Sequence, residues 1–222
     1  MTAPPPDPPA PHPVRIEFVH DVLCAFCFVL SPRVRRLAAE DPGVEVVHRA
    51  FALAPDPAAL DRMFGGAQRA KAEVLPHWRA AARLDPSAGI DADLMASRPF
   101  GYPHSMPGLL ATKAGGRQQR EWDVFDRVQR AHLVEARDIA GLEVLVDLAE
   151  ESGLDRTRFA ADLTAPAVRA AVDRDLARVR DLGVRGVPAL VADGRSALTG
   201  AVPYDQLVDW VAAVRRTRAT TR

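Results

Sequence analysis

The only two cysteines of this 222-residue chain, Cys24 and Cys27, lie three residues apart. They follow an apolar run, residues 14–19, in which apolar and charged positions alternate as in a half-buried strand. They precede residues 28–39, where apolar and charged positions recur with helical spacing. A strand that leads into a helix opening with Cys-x-x-Cys is typical of a redox-active dithiol.

The composition excludes several classes of protein. Positive and negative side chains balance at 29 each, so the chain lacks the basic surplus that nucleic-acid binding calls for. No apolar stretch approaches the ~20 residues that span a bilayer. The start of the chain has neither the basic nor the apolar region of a secretory signal. We therefore expect a cytoplasmic protein with no nucleic-acid or membrane partner.

The first part of the chain predicts a βαβ unit. Residues 1–13 are rich in proline and predict an extended tail. Residues 44–51 predict a second strand after the cysteine-containing helix. A connection of helical length between two strands indicates that they are parallel neighbours.

Only helical patterns follow until about residue 165. Residues 67–84 predict one of these helices, in which Pro76 predicts a kink or a break. A hundred residues of helix between strand units indicate an inserted helical domain, residues 58–165.

The last part of the chain predicts a helix, a hairpin and a final helix. The first helix covers residues 166–182, the hairpin residues 189–199, and the final helix residues 204 to about 215. The order βαβ, helical block, αββα predicts an α/β thioredoxin-like fold with a large helical insertion. Residues 14–57 and 166–216 then form the thioredoxin-like domain, and residues 217–222 a short tail.

Several motifs along the chain match one protein family. Asp21 precedes the cysteines, Phe-Ala-Leu-Ala-Pro stands at 51–55, and Glu-Ala-Arg-Asp-Ile stands at 135–139. Gly-Val-Arg-Gly-Val-Pro at 183–188 and Gly-Ala-Val-Pro at 200–203 follow. With these motifs the chain resembles the DsbA superfamily, and within it the FrnE-like branch with its relatives among hydroxychromene-carboxylate isomerases and kappa-class glutathione transferases. The resemblance implies a DsbA-like fold and thiol chemistry.

Three positions depart from the family pattern. The residues between the cysteines are Ala25 and Phe26 instead of Pro-Trp or Pro-His. The Ala-His of the insertion is absent from residues 104–109, and Leu30 replaces the family's glycine. Because of these departures, the resemblance does not fix the substrate or the redox potential. The thiol chemistry that it implies is unaffected.

A cysteine reacts as its thiolate. The thiol of a free cysteine has a pKa of ~8.5, so only a small fraction is ionised at neutral pH. Backbone N–H groups at a helix start stabilise the anion. We therefore expect Cys24 to be the exposed nucleophile and Cys27, one turn further, to resolve the mixed disulfide. We expect the Val187–Pro188 peptide bond to be cis and to face Cys24, with the backbone of Val187 pairing with an extended substrate.

Thioredoxin relatives often bury an acid six residues before the first cysteine, where this chain has Phe18. Glu17 or Asp21 is the alternative proton relay, although either is also explained as a surface or turn residue. Phe26 and Val187 are expected to contact substrate. Phe100, His104 and Met106 predict a substrate-facing lip, with loop packing as the alternative.

Other interpretations of the two cysteines are a quiet buried pair and a zinc site. Zinc needs four ligands, and His20 and His48, the nearest candidates, are explained equally by ordinary positions in the sheet. We expect no metal.

The sequence leaves three functional hypotheses. The first is a cytoplasmic protein-disulfide oxidoreductase that acts on a protein or small-molecule thiol or disulfide and needs no cofactor. The second is an enzyme of small molecules that uses glutathione or mycothiol. The third is a redox-sensing or chaperone-like binder. We expect a monomer or a homodimer.

Overall fold

Four strands form one mixed sheet in residues 12–220, the part of the chain that the computed structural model describes. The strands are β1 (Val14–His20), β2 (Val44–Ala50), β3 (Ala189–Ala192) and β4 (Ser196–Thr199). Their order is β2-β1-β3-β4, with β1 parallel to β2 and the other neighbours antiparallel. Most of the expected N-terminal tail lies outside the described residues, as do residues 221–222.

Ten α-helices and one 3₁₀ turn (Pro86–Ala88) accompany the sheet within residues 12–220. They are α1 (Ala25–Glu40), α2 (Pro57–Phe64), α3 (Ala67–Leu84), α4 (Ala92–Ser97), α5 (Met106–Gly116), α6 (Glu121–Leu133), α7 (Leu142–Glu151), α8 (Arg156–Leu163), α9 (Pro166–Asp181) and α10 (Tyr204–Thr220). None of the helices in this range is long and apolar enough to cross a membrane.

The predicted βαβ unit is confirmed. Val14 lies opposite Val44 and His20 opposite Ala50, so β1 and β2 run parallel over their whole length. Strand β1 is central, and both of its faces are covered: Phe18 is fully buried on one and Val19 on the other. The apolar run of β1 therefore holds the sheet between two helical layers.

Helices α2 to α8 occupy the stretch between β2 and β3, as the insertion predicts. They do not form a separate core. Phe125 of α6 packs edge-on against Phe18 of β1 with 6.0 Å between the ring centroids, and Trp78 of α3 is buried in the same apolar cluster. The insertion therefore packs directly on the elements that carry the cysteines.

Helix α3 has the predicted bounds and continues through Pro76 without a break. Pro76 and Ala72 are exposed, so water can satisfy the carbonyl that lost its donor. One expected boundary is wrong, since helix α10 continues beyond residue 215 to Thr220. Arg218 holds this last turn, since its Nε donates to Asp193 at 2.7 Å and its guanidinium also reaches the carbonyl of Pro13.

Candidate active site

Cys24 is the N-cap of α1, directly after the turn that ends β1. Its backbone is extended, and its N–H donates to the carbonyl of Asp21 at 3.1 Å. The N–H of Cys27 points back at the Cys24 sulfur, with 3.3 Å between nitrogen and Sγ. An N-cap side chain that accepts from the third helical N–H lies where the helix dipole favours a negative charge. This geometry suits a thiolate at Cys24.

The Val187–Pro188 loop lies against the same sulfur. The peptide bond is cis, as expected, and the carbonyl oxygen of Val187 is 3.7 Å from Cys24 Sγ. Pro188 leads directly into β3, whose Ala189 pairs with Val19 of β1. Because β3 is the antiparallel neighbour of β1, the sheet itself brings this loop to the cysteine turn.

The expectation of an exposed Cys24 is wrong. Only 6% of the residue is accessible, and Cys27 is fully buried. Cys24 contributes to the wall of a cavity of about 350 Å³. The cap geometry turns the sulfur inward, toward the Cys27 N–H and the Val187 carbonyl, so a substrate reaches it through this cavity.

The cavity is lined mostly by apolar side chains from α1, α2, α3 and the loop after β2. Its lining residues are Leu23, Cys24, Ala25, Phe26, Leu53, Ala54, Leu60, Met63, Phe64, Glu73, Val74, His77, Trp78, Tyr102 and Val187. Leu53 and Met63, two residues of this lining, are 40% and 56% exposed. Such side chains around a reactive group indicate a binding surface.

The predicted substrate contacts divide into two groups. Phe26 and Val187 line the cavity. Phe100, His104 and Met106 are not among its lining residues, so the lip formed by them stays a prediction without support from this cavity. Met106 packs with the core at the start of α5, Phe100 lies 5.0 Å from the Lys71 ammonium, and His104 is half-buried.

Cys27 and Asp21 form the buried part of the site. Burial, together with the hydrogen bond and charge of Cys24, raises the pKa of the Cys27 thiol well above its usual range. Burial also raises the pKa of Asp21 to about 6, although hydrogen bonds oppose this shift. Its carboxylate accepts from Ser105 Oγ at 2.6 Å, Leu53 N–H at 2.7 Å and Leu23 N–H at 3.0 Å. Asp21 is thus a buried acid that titrates near neutrality and influences Cys27 electrostatically.

Glu17 lies elsewhere. It is buried on the α9 side of the sheet, 2.6 Å from both the Arg178 and the Arg49 guanidinium. Burial works to raise the pKa of Glu17, but the hydrogen bonds from these arginines outweigh burial and lower it. Neither Glu17 nor Asp21 is a surface residue, and Asp21 is the acid at the cysteines.

The helical insertion also holds the backbone of the cysteine turn, which the sequence did not indicate. Gln129 Nε2 donates to the carbonyls of Asp21 and Cys24 at 3.3 and 3.2 Å. Tyr102 Oη donates to the carbonyl of Leu23 at 3.4 Å. These residues fix the backbone of the N-cap turn. Gln129 lies in α6 and Tyr102 in the loop before α5, and neither position carries a sequence signal for such contacts.

His20 and His48 pair with each other. Their ring nitrogens are 2.9 Å apart, and both rings pack against Phe125 in the core. Burial lowers the pKa of both rings, that of His48 to about 3, so they are neutral at pH 7. Across residues 12–220, no three His, Cys, Asp or Glu side chains are grouped so that they could hold a metal ion. The zinc interpretation therefore has no ligand set in this part of the chain.

The chain is similar in sequence to part of one known protein and in fold to solved structures. Over 95 residues the chain is 37% identical to a Na(+)/H(+) antiporter NhaA from Herminiimonas arsenicoxydans, and the match covers 42% of this chain but only 14% of that protein. The cytosolic disulfide reductase DsbM from Pseudomonas aeruginosa, also solved with GSH, has a TM-score of 0.70 at 24% identity over 93% of this chain and 99% of its own. A 2-hydroxychromene-2-carboxylate isomerase has a TM-score of 0.65 at 16% identity, over 94% and 99%.

A family match covers almost the whole described chain. Residues 15–212 match the family described as DSBA-like thioredoxin domain. This range includes the cysteine turn, the helical insertion and the Val187–Pro188 loop. The chain therefore belongs to the DSBA-like thioredoxin-domain family.

Proposed function

We propose that this protein catalyses thiol–disulfide exchange on protein or peptide substrates through Cys24. One observation carries the proposal: Cys24 Sγ accepts from the Cys27 N–H at the start of α1 while it opens into an apolar cavity beside the Val187 carbonyl. Backbone N–H groups and the dipole at a helix start favour a negative charge, and the cavity gives a substrate access to this sulfur.

The reaction has two exchange steps. In the first, the Cys24 thiolate attacks one sulfur of a substrate disulfide, a Cys24–substrate disulfide forms, and the other substrate sulfur leaves as a thiolate that takes up a proton. In the second, the Cys27 thiolate attacks Cys24 and releases the second substrate thiol. The substrate disulfide gains two electrons, and the cysteine pair is oxidised to a disulfide. The reverse sequence oxidises a dithiol.

The second step requires that Cys27 lose its proton. Its raised pKa makes this loss unfavourable without a base. We assign the role of base to Asp21, whose pKa of about 6 leaves it ionised at pH 7 in the same buried region. The hydrogen bonds from Ser105 and Leu53 favour the ionised form of Asp21, whereas its burial opposes ionisation.

Val187 is proposed to position the substrate. Its carbonyl already lies beside Cys24, and the loop 183–188 precedes β3, where the chain becomes extended. An extended substrate segment that pairs with this backbone would have its cysteine next to Cys24.

The proposal is tested by the reduction of insulin disulfides with the wild-type protein and the Cys24→Ser variant, in the presence of dithiothreitol, which returns the cysteine pair to the dithiol after each cycle. The wild type is expected to turn over and the variant to fall to the uncatalysed rate. Equal rates for the two proteins would contradict the proposal. A redox-sensing binder would bind partners according to the oxidation state of the cysteines and show no turnover in either form.

A second candidate function is an enzyme that uses a low-molecular-weight thiol on small aromatic molecules. The apolar cavity favours it, since 350 Å³ lies within the ~300–1,000 Å³ of small-molecule sites. Turnover of chlorodinitrobenzene with glutathione, lost in Cys24→Ser, would support it over the first candidate.

We also propose that the protein acts in the cytoplasm. The structurally similar reductase from P. aeruginosa is a cytosolic protein. Fractionation of cells with an antibody against the chain tests this location. Its assembly as a monomer or a homodimer stays a prediction.

A further inference from the structure

The lining of the Cys24 cavity has one carboxylate and no Arg or Lys. Glu73 and His77 are the lining residues from α3 with ionisable side chains, and both are exposed. They lie four residues apart, so they are on one face of the helix. No Arg or Lys is among the lining residues, although the chain has 29 of them.

No Lys or Arg within residues 12–220 forms an ion pair with Glu73. Arg62 pairs with Asp56, with 3.8 Å between their charged atoms. Arg69 lies one turn before Glu73 on the same face of α3, and its guanidinium lies beside Gly65. Arg185 belongs to the loop before Val187 but does not line the cavity. Glu73 therefore presents the carboxylate of the cavity lining to an incoming substrate without a direct cationic partner.

The rest of the entrance is apolar and incompletely covered. Leu53 and Met63 are exposed, and Phe26 and Phe64 are half-buried. Burying such side chains against an apolar group is favourable, and charges repel more strongly beside low-dielectric walls than in open water. The cavity thus favours a substrate with an apolar group near the reacting sulfur and disfavours a substrate with a carboxylate there.

We propose that the cavity selects cysteinyl peptides with an aromatic or aliphatic residue on one side of the cysteine and a neutral or cationic residue on the other. Glu73 is the specificity-determining residue that disfavours anionic thiols, including glutathione with its two carboxylates. This inference rests on the proposed exchange at Cys24, and it names the substrate class of that reaction.

The test compares disulfide-linked dimers of four acetylated, amidated tripeptides, Phe-Cys-Lys, Phe-Cys-Glu, Gly-Cys-Lys and Gly-Cys-Glu, together with oxidised glutathione. The rate of consumption by the reduced protein is divided by the rate with a free small thiol, which removes the intrinsic reactivity of each disulfide. The Lys dimers are expected to react roughly two- to fivefold faster than the Glu dimers, the range that one exposed charge gives. Each Phe dimer should exceed its Gly counterpart, and oxidised glutathione should be slowest.

Substitutions at α3 separate charge from shape. Glu73→Gln should bring the Lys to Glu ratio close to one, and Glu73→Lys should invert it. Glu45→Gln removes the same charge from an exposed position on β2 and should leave the ratio unchanged. A ratio of one in the wild type, a ratio insensitive to Glu73, or glutathione as the fastest substrate would overturn the inference.

Alkylation by neutral iodoacetamide distinguishes the two levels of failure. If Cys24 is alkylated and exchanges with all probes without preference, the selectivity is refuted while the exchange reaction stands. If Cys24 is alkylated but exchanges with none of the disulfides, the proposed function itself is refuted, and the selectivity with it.

Discussion

At the scale of single residues, Asp21 is the group whose protonation matters most to the proposed reaction. Its carboxylate accepts two backbone N–H groups and one hydroxyl, which hold the cysteine turn to the loop after β2. Burial nevertheless raises its pKa to about 6. Asp21 therefore holds the cysteine turn through its hydrogen bonds in both protonation states. It can act as a base only when it is ionised.

This assignment predicts a pH dependence for the resolving step. In the wild type, the decay of the Cys24 mixed disulfide should accelerate as pH rises through about 6, because Asp21 becomes ionised there, and then level off. Asp21→Asn should slow this decay at pH 7 by about 10²-fold or more, the usual range for loss of a general base. The decay is measured by acid quenching and mass spectrometry.

Ser105→Ala is the matched control for this experiment. The Ser105 hydrogen bond lowers the pKa of Asp21, so its loss should move the acceleration to higher pH while the final rate is retained. The alkylation rate of Cys24 should stay close to that of the wild type in both variants. A wild-type decay rate and pH profile in Asp21→Asn would contradict the role of Asp21 as base.

At the scale of elements, the cavity depends on two helices that the sequence indicated unequally. Residues 67–84 predict α3, whereas no separate helix is predicted for residues 57–64, which form α2. Asp56 caps α2 by accepting from the Ala59 N–H, and Pro57 occupies its first turn. Both are helix-start signals, so the sequence did contain the element.

Helix α5 supports the cysteine turn through Gly108. A Cβ at this position would lie 2.5 Å from Val22 Cγ2, two residues before Cys24. Gly108→Ala should therefore lower the free energy of unfolding by ~1–3 kcal/mol, as overpacking does, and should displace the turn. Urea denaturation measures the stability, and the alkylation rate of Cys24 reports on the turn.

The control for this substitution is Gly141→Ala, at the N-cap of α7. There the nearest neighbour of an added Cβ is 3.5 Å away and φ is −76°, so an alanine fits. Its stability should stay within about 0.5 kcal/mol of the wild type. Equal stability of the two variants would show that α5 does not pack tightly beneath the cysteines.

At the scale of the whole molecule, the order of elements was predictable and the walls of the site were not. The βαβ unit, the helical block and the hairpin follow from periodicity and turn signals, because these are local. Phe100, His104 and Met106 looked suitable for substrate because they form a loop rich in aromatic residues and proline. Which segment of the insertion lies over Cys24 depends instead on how α3 and α6 pack against α1, and no local pattern encodes that packing.

The central claim is that Cys24 attacks and Cys27 resolves. Its most direct test is peptide mapping after reduced Cys27→Ser and Cys24→Ser proteins meet a disulfide-containing peptide and are quenched in acid. The account predicts that Cys27→Ser accumulates the peptide as a mixed disulfide on Cys24, whereas Cys24→Ser stays unmodified, since Cys27 is fully buried and protonated. An adduct on Cys27 in Cys24→Ser, or no adduct on Cys24 in Cys27→Ser, would contradict the account.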